Sequence, residues 1–261
     1  METLNPELNL EDFFNTLGSA EKRGLMLDYD GTLAPFRVER EKATPYPGIR
    51  EILAHLISAD RTHIVIVSGR QVSDLVPLIG LDRLPEIWGS HGLERLTINN
   101  ESKLAELSPI ARQGLDRAHK WIEQEGLANK SEKKPSGVAF HWRGVSPDNA
   151  KRLSEKIRKK WFSIAKNFGL ILFEFDGGLE LRVAGTTKAN TVERITAEMG
   201  AKAVLAYLGD DLTDEDAFRA LRGRGLSILV RDSKRETAAD LWIRPPQELL
   251  QFLERWLECG G

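Results

Sequence analysis

Short apolar runs alternate with longer amphipathic stretches along most of this chain. Gly24–Asp28, His63–Val67, Glu86–Ser90, Val204–Leu208 and Ser227–Val230 read as buried strands, rich in branched side chains and bounded by turn residues. Apolar residues recur at helical spacing over Ile49–Ala59, Val72–Ile79, Ala189–Met199, Glu215–Leu221 and a last stretch near Gln247–Leu257. Leu8–Leu17 adds an amphipathic helix at the edge. Apolar strands alternating with helices predict an α/β fold, an open parallel sheet covered on both faces. Such sheets bind ligands outside the carboxyl ends of their strands.

The rhythm breaks between about Leu104 and Gly185. A long helical pattern, Ile110–Glu125, is followed by a strand at Gly137–Arg143 and a helix at Asn149–Phe168. Leu170–Phe175 and Leu179–Val183 then read as a hairpin around Asp176-Gly177-Gly178. The order predicts a separate α+β unit, residues 104–185, inserted into a sheet domain made of 1–103 and 186–261.

The chemistry gathers where strands end. Leu25-Met26-Leu27 runs into Asp28-Tyr29-Asp30-Gly31-Thr32. Residues i and i+2 of a strand point the same way, so Asp28 and Asp30 project together. Carboxylates that close repel unless a cation or a shared proton intervenes. The pair predicts a site for a divalent metal and an anionic substrate; an acidic turn is the other reading. The strand Ala203–Leu208 leads into Gly209-Asp210-Asp211-Leu212-Thr213-Asp214-Glu215-Asp216, five carboxylates within seven residues. Asp210 and Asp211 stand nearest the strand end and suit a hard cation such as Mg²⁺. Asp214–Asp216 also suit the start of a helix. Ser68, after the strand His63–Val67, can hold a phosphate together with nearby backbone N–H groups, although Ser-Gly is also a common turn. Lys188 precedes a helix and gains meaning only beside the others.

Composition narrows the partners. A net charge of −2 over 261 residues lacks the basic balance of a nucleic-acid-binding protein. The basic run Lys151, Arg152, Lys156, Arg158, Lys159, Lys160 is interrupted by Glu155 and reads as a solvated helix face. The single cysteine, Cys259, excludes an intrachain disulfide and a cysteine metal site, which fits a reducing cytoplasm. Glu2, Glu7, Glu11 and Asp12 do not read as a signal peptide, and no apolar run is long enough for a membrane span.

Together, Asp28-Tyr29-Asp30-Gly31-Thr32-Leu33, Ser68, Lys188 and Gly209-Asp210-Asp211-Leu212-Thr213-Asp214 resemble the motifs of the haloacid dehalogenase (HAD) phosphohydrolases. The chain further resembles the trehalose-6-phosphate phosphatases within that superfamily. The segments that carry this are Ser68-Gly69-Arg70, Gly89-Ser90-His91-Gly92-Leu93-Glu94, Glu132-Lys133-Lys134 with Phe140-His141-Trp142-Arg143, Gly178-Leu179-Glu180-Leu181-Arg182, and Asp210 to Phe218. They span roughly Gly24 to Val230. The chain departs from the family at Trp142, where tyrosine is common, at Val183, where proline is common, and at Ala189, where glycine is common.

The resemblance implies a HAD-like Rossmannoid core with an inserted α+β cap of the C2 type. It implies Asp28 as nucleophile, forming an aspartyl-phosphate, and Asp30 as general acid and then base. Mg²⁺ would be held by Asp28, the Asp30 backbone carbonyl and Asp210, with Asp211 and Asp214 as further candidates. Ser68, Gly69 and Lys188 would bind phosphate. Arg70, Glu132, Lys134 and Glu180 would bind the sugar. The implied protein is a cytoplasmic monomer acting on a small sugar phosphate, without nucleic acid or membrane, and paired in function with a trehalose-6-phosphate synthase. Other phosphorylated glycosides (sucrose phosphate, glucosylglycerol phosphate, mannosylphosphoglycerate) are alternative substrates, and a non-catalytic sugar-phosphate sensor is an alternative of another class. His91, His141 and Arg143 are left open between structural and binding roles.

Overall fold

The computed structural model describes residues 1–175, 177–185 and 187–260. Met1–Lys103 with Thr187–Gly261 form one compact unit, and Leu104–Thr186 form a second.

The first unit opens with β1 (Glu2–Thr3), α1 (Leu10–Ser19), β2 (Arg23–Leu27), α2 (Ile49–Ala59), β3 (His63–Val67), α3 (Val72–Ile79), β4 (Glu86–Gly89), β5 (Glu94–Leu96) and β6 (Ser102–Leu104). The second unit contains α4 (Pro109–Gln124), β7 (Ser131–Lys134), β8 (Gly137–His141), α5 (Pro147–Phe168), β9 (Leu170–Phe175) and β10 (Gly178–Val183). The chain then completes the first unit with α6 (Lys188–Met199), β11 (Val204–Gly209), α7 (Glu215–Leu221), β12 (Leu226–Val230), β13 (Leu241–Ile243) and α8 (Gln247–Gly260).

Nine strands form one sheet in the order β1-β13-β12-β11-β2-β3-β4-β5-β6. Its centre, from β13 to β4, is parallel. Its margins are not: β1 joins β13 antiparallel, and β5 joins β4 antiparallel. The apolar pattern anticipates the parallel centre. The margins are two- or three-residue strands, mostly exposed or half-buried apart from Leu96, and too short to carry an alternation. Side chains of the centre alternate between two cores. Leu25, Leu27, Ile64, Ile66 and Leu208 pack with α1, α2, α3 and α8 on one face. Met26, Val65, Val67, Leu205 and Tyr207 pack with α6 and α7 on the other. Burial on both faces explains why these strands read as continuous apolar runs.

The second unit is a four-stranded sheet, β7-β8-β10-β9, with its own core. Val138, Phe140, Leu179 and Leu181 face Leu115, Ile122, Ile157 and Trp161 of α4 and α5. The expected hairpin is present as the antiparallel pair β9 and β10; Asp176 of its expected turn lies outside the described residues. β8 ends at His141, two residues short of the end expected from sequence, Arg143. Glu132–Lys134 is part of the edge strand β7. No helix among the described residues is long and apolar enough to cross a membrane.

Candidate active site

Parallel register brings several motifs to one edge of the large sheet. Leu27 lies beside Ile66 of β3 and beside Leu208 of β11. Asp28, Ser68 and Asp210 therefore leave adjacent strands at their carboxyl ends. The Asp28 N–H still donates to the Leu208 carbonyl at 2.9 Å, which holds the residue in line with β2. Gly31 then turns with φ +89°, and a Cβ there would lie 2.2 Å from Asp210 Oδ2. Glycine is required twice over, for the turn and for the approach of the two acidic loops.

Asp28, Asp210, Asp214 and Lys188 are all buried. Lys188 begins α6, whose cap is the Thr187 hydroxyl accepting from the Asn190 N–H. Its Nζ donates to Asp28 Oδ1 at 2.6 Å and to Asp214 Oδ1 at 2.7 Å. One ammonium thus compensates two carboxylates. Asp214 Oδ1 also accepts from the Tyr207 hydroxyl at 2.5 Å, and its Oδ2 accepts from the N–H groups of Asp210 (3.1 Å) and Asp211 (2.9 Å). Four donors fill the roughly four lone-pair positions of a carboxylate. Asp214, a candidate metal ligand by sequence, is an anchor for Lys188 and for its own loop. Asp211, a candidate metal ligand by sequence, accepts from the Leu212 N–H at 2.7 Å and caps the turn with Asp214, a capping role that the sequence reading gave to Asp214–Asp216.

Asp210 differs. Its Oδ1 is buried and has no hydrogen-bond partner among the described residues. One oxygen each from Asp28, Asp210 and Asp214 lies within 4.8 Å of the others. Burial pushes the Asp210 carboxyl well above its ordinary range, with the charges of Asp28 and Asp214 adding to the shift. Burial likewise raises Asp28, to about 7, against the pull of Lys188 and with the push of Asp214. Lys188 is held charged: burial opposes its charge, but Asp214 and Asp28 outweigh it and raise its pKa. Two buried acids beside an orphan oxygen fit a hard divalent cation, which would supply the missing partner and relieve the repulsion.

Ser68 is buried, and its Oγ accepts from the Arg70 N–H at 3.1 Å. The turn it shares with Gly69 is braced by the loop after β4: Ser90 N–H donates to Arg70 O at 2.7 Å, and His91 N–H to Ser68 O at 3.0 Å. Ser90 and His91 sit at φ 49° and 56°, a costly conformation for side-chain-bearing residues. The His91 ring packs onto Gly69, where an added Cβ would lie 2.7 Å from it. His91 is thus a wall of the Ser68 turn, which the sequence left open. Arg70, expected on a sugar, is buried and forks onto Asp30, and its Nη1 donates to Arg40 O at 2.8 Å.

The remaining candidates lie together on the second unit. Glu132 of β7 and Glu180 of β10 both stand opposite Ala139 of β8, one row across three strands. Lys134 Nζ lies 3.2 Å from Glu180 Oε1, and His141 Nε2 lies 3.1 Å from Glu132 Oε2. These charges share the sheet face opposite the apolar core, because Glu180 alternates with the core residues Leu179 and Leu181. The structure therefore groups two sets of candidates, each within its own unit.

Sequence reasoning missed Tyr207 and the pairing of Arg70 with Asp30. A phenol three residues before the acidic motif, in an otherwise aliphatic strand, was an available signal for the first. Nothing in the spacing of Asp30 and Arg70, forty residues apart, could announce the second.

A family model for trehalose-phosphatase matches residues 26–242. The trehalose-phosphate phosphatase of Mycobacterium marinum is 29% identical over 265 residues, covering 94% of this chain. The chain spans 65% of the length of that relative. The C-terminal domain of C. albicans trehalose-6-phosphate phosphatase superposes with a TM-score of 0.81 at 23% identity, covering 99% of each chain. A haloacid dehalogenase-like hydrolase from Bacteroides thetaiotaomicron gives a TM-score of 0.61 at 16% identity, over 90% of this chain and 99% of that one, a likeness of fold.

Proposed function

The chain belongs to the trehalose-phosphatase family, and from that premise we propose that it hydrolyses trehalose 6-phosphate to trehalose and inorganic phosphate. The observation that carries the reading is the buried set Asp28, Lys188 and Asp210 at the carboxyl edge of a parallel sheet.

Asp28 is the nucleophile: its carboxylate oxygen forms a bond to phosphorus as the bond from phosphorus to the sugar oxygen breaks. Asp30 gives its proton to that departing oxygen. It then takes a proton from water, whose oxygen attacks phosphorus and releases Asp28. Asp30 can do this only with one oxygen free of the Arg70 fork, so Arg70 sets the resting orientation of the acid. Lys188 holds Asp28 in place and offers positive charge to the phosphate, while Asp214 and Tyr207 hold Lys188. Ser68 and the Gly69 backbone supply further phosphate contacts. Mg²⁺ on Asp28, Asp210 and the Asp30 carbonyl would screen the charge of phosphoryl transfer. Glu132, Lys134 and Glu180 bind the sugar hydroxyls and provide the specificity.

The test is phosphate release from a panel of phosphorylated sugars, with Mg²⁺ and with chelator. Selective, metal-dependent release from trehalose 6-phosphate, abolished in Asp28→Asn, is expected. Preferential release from another phosphorylated glycoside overturns the specificity and keeps the chemistry.

A further inference from the structure

Glu215 stands where helix-start acids usually face solvent, yet it is buried and bonded away from its own helix. Its Oε1 pairs with Nη1 of Arg235, and its Oε2 accepts from the Ala238 N–H at 2.8 Å. Both partners lie in the segment joining β12 to β13. Arg235 turns its other terminal nitrogen onto the acidic loop. There Nη2 donates to Asp211 O at 2.9 Å and to Asp210 O at 3.3 Å. Arg231 adds a longer contact, 3.4 Å, to Asp210 O.

The two peptide carbonyls at the head of this loop are therefore turned toward guanidinium groups. Their planes fix the backbone from which the Asp210 side chain departs, with its unpartnered Oδ1. Partners at this remove from a metal commonly set ligand orientation, and their loss costs about 10–100-fold in metal affinity or activity. No step of the reaction uses Arg235 or Glu215.

We propose that Arg235, locked by Glu215, is a positioning residue that fixes the Asp210 loop for a divalent cation. This rests on the reading of Asp28 and Asp210 as the cation's ligands. Lys234 is a control, because it carries the same charge one residue earlier and pairs at the surface with Glu2.

The experiment is Mn²⁺ binding to the metal-free full chain, followed by electron paramagnetic resonance, for wild type, Arg235→Met, Arg235→Lys and Lys234→Met. Arg235→Met is expected to bind at least about 10-fold more weakly, Arg235→Lys between it and wild type, and Lys234→Met as wild type. Wild-type affinity in Arg235→Met overturns the inference, as does equal weakening in Lys234→Met. Should Arg235→Met fail to fold, wild-type affinity in Arg235→Lys overturns it. Absence of binding by the wild-type chain overturns the metal reading and this inference together, whatever the sugar specificity.

Discussion

Arg70 grips both carboxylate oxygens of Asp30, Nε donating to Oδ2 at 2.7 Å and Nη2 to Oδ1 at 2.6 Å. The fork is bidentate, and the guanidinium is buried while Asp30 is part exposed. Its base is the ring of Tyr29, 5.9 Å away, whose own hydroxyl donates to Ala43 O. A side chain so committed is placed to orient the Asp30 carboxylate. Lysine cannot reproduce a planar two-point contact. Arg70→Lys is therefore expected to lower kcat about 100-fold, the lower end of what general acid–base catalysis contributes, with KM changed less. Steady-state kinetics check this; a raised KM with kcat intact would return Arg70 to the substrate.

Lys188 compensates two buried carboxylates, and Lys188→Met leaves both uncompensated. Removing one partner of a buried ion pair costs about 3–5 kcal/mol. Denaturant unfolding of the metal-free variant at pH 8 should show a loss of that order. The loss should shrink at acidic pH, where Asp28, with its pKa raised by burial to about 7, is protonated and needs no cation. A pH-independent loss would argue for packing alone.

Asp210 has a folded pKa above its ordinary 3.8, chiefly from burial and then from Asp28 and Asp214. The folded chain holds that proton more tightly than the unfolded chain. The resulting stabilisation is full below pH 3.8 and is lost as pH rises through the raised folded value. Metal-free Asp210→Asn should therefore be more stable than wild type at pH 8, where the folded carboxyl is disfavoured in its charged form. The difference should vanish near pH 4. Thermal unfolding at both pH values with chelator checks this, and added Mg²⁺ should stabilise wild type but not the variant.

Glu180 and Lys134 form a buried pair on the second unit. Glu180→Gln keeps the shape and removes the charge. It is expected to raise KM for trehalose 6-phosphate about 10-fold or more, since a site built for hydroxyls penalises a lost partner. Hydrolysis of a phosphate ester without a sugar, such as p-nitrophenyl phosphate, should change little. Equal losses on both substrates would assign Glu180 to the stability of its sheet.

Local pattern alone determined much of this protein. Burial on both faces writes strands such as Arg23–Leu27 and His63–Val67 as apolar runs, and their parallel order sends Asp28, Ser68 and Asp210 to one edge. The inserted α+β unit was legible because its helix-then-hairpin order breaks the alternation. Tertiary structure decided what each charge does. Asp214 is consumed by four donors, Arg70 by Asp30, and Arg235 by Glu215 and two carbonyls. Those assignments depend on distances between residues far apart in the chain, and a carboxylate or guanidinium reads the same in sequence whether its partner is water, a metal or another side chain. The antiparallel margins and strand β7 were hidden for a related reason: short, polar edge strands are specified by the neighbour they pair with rather than by their own alternation.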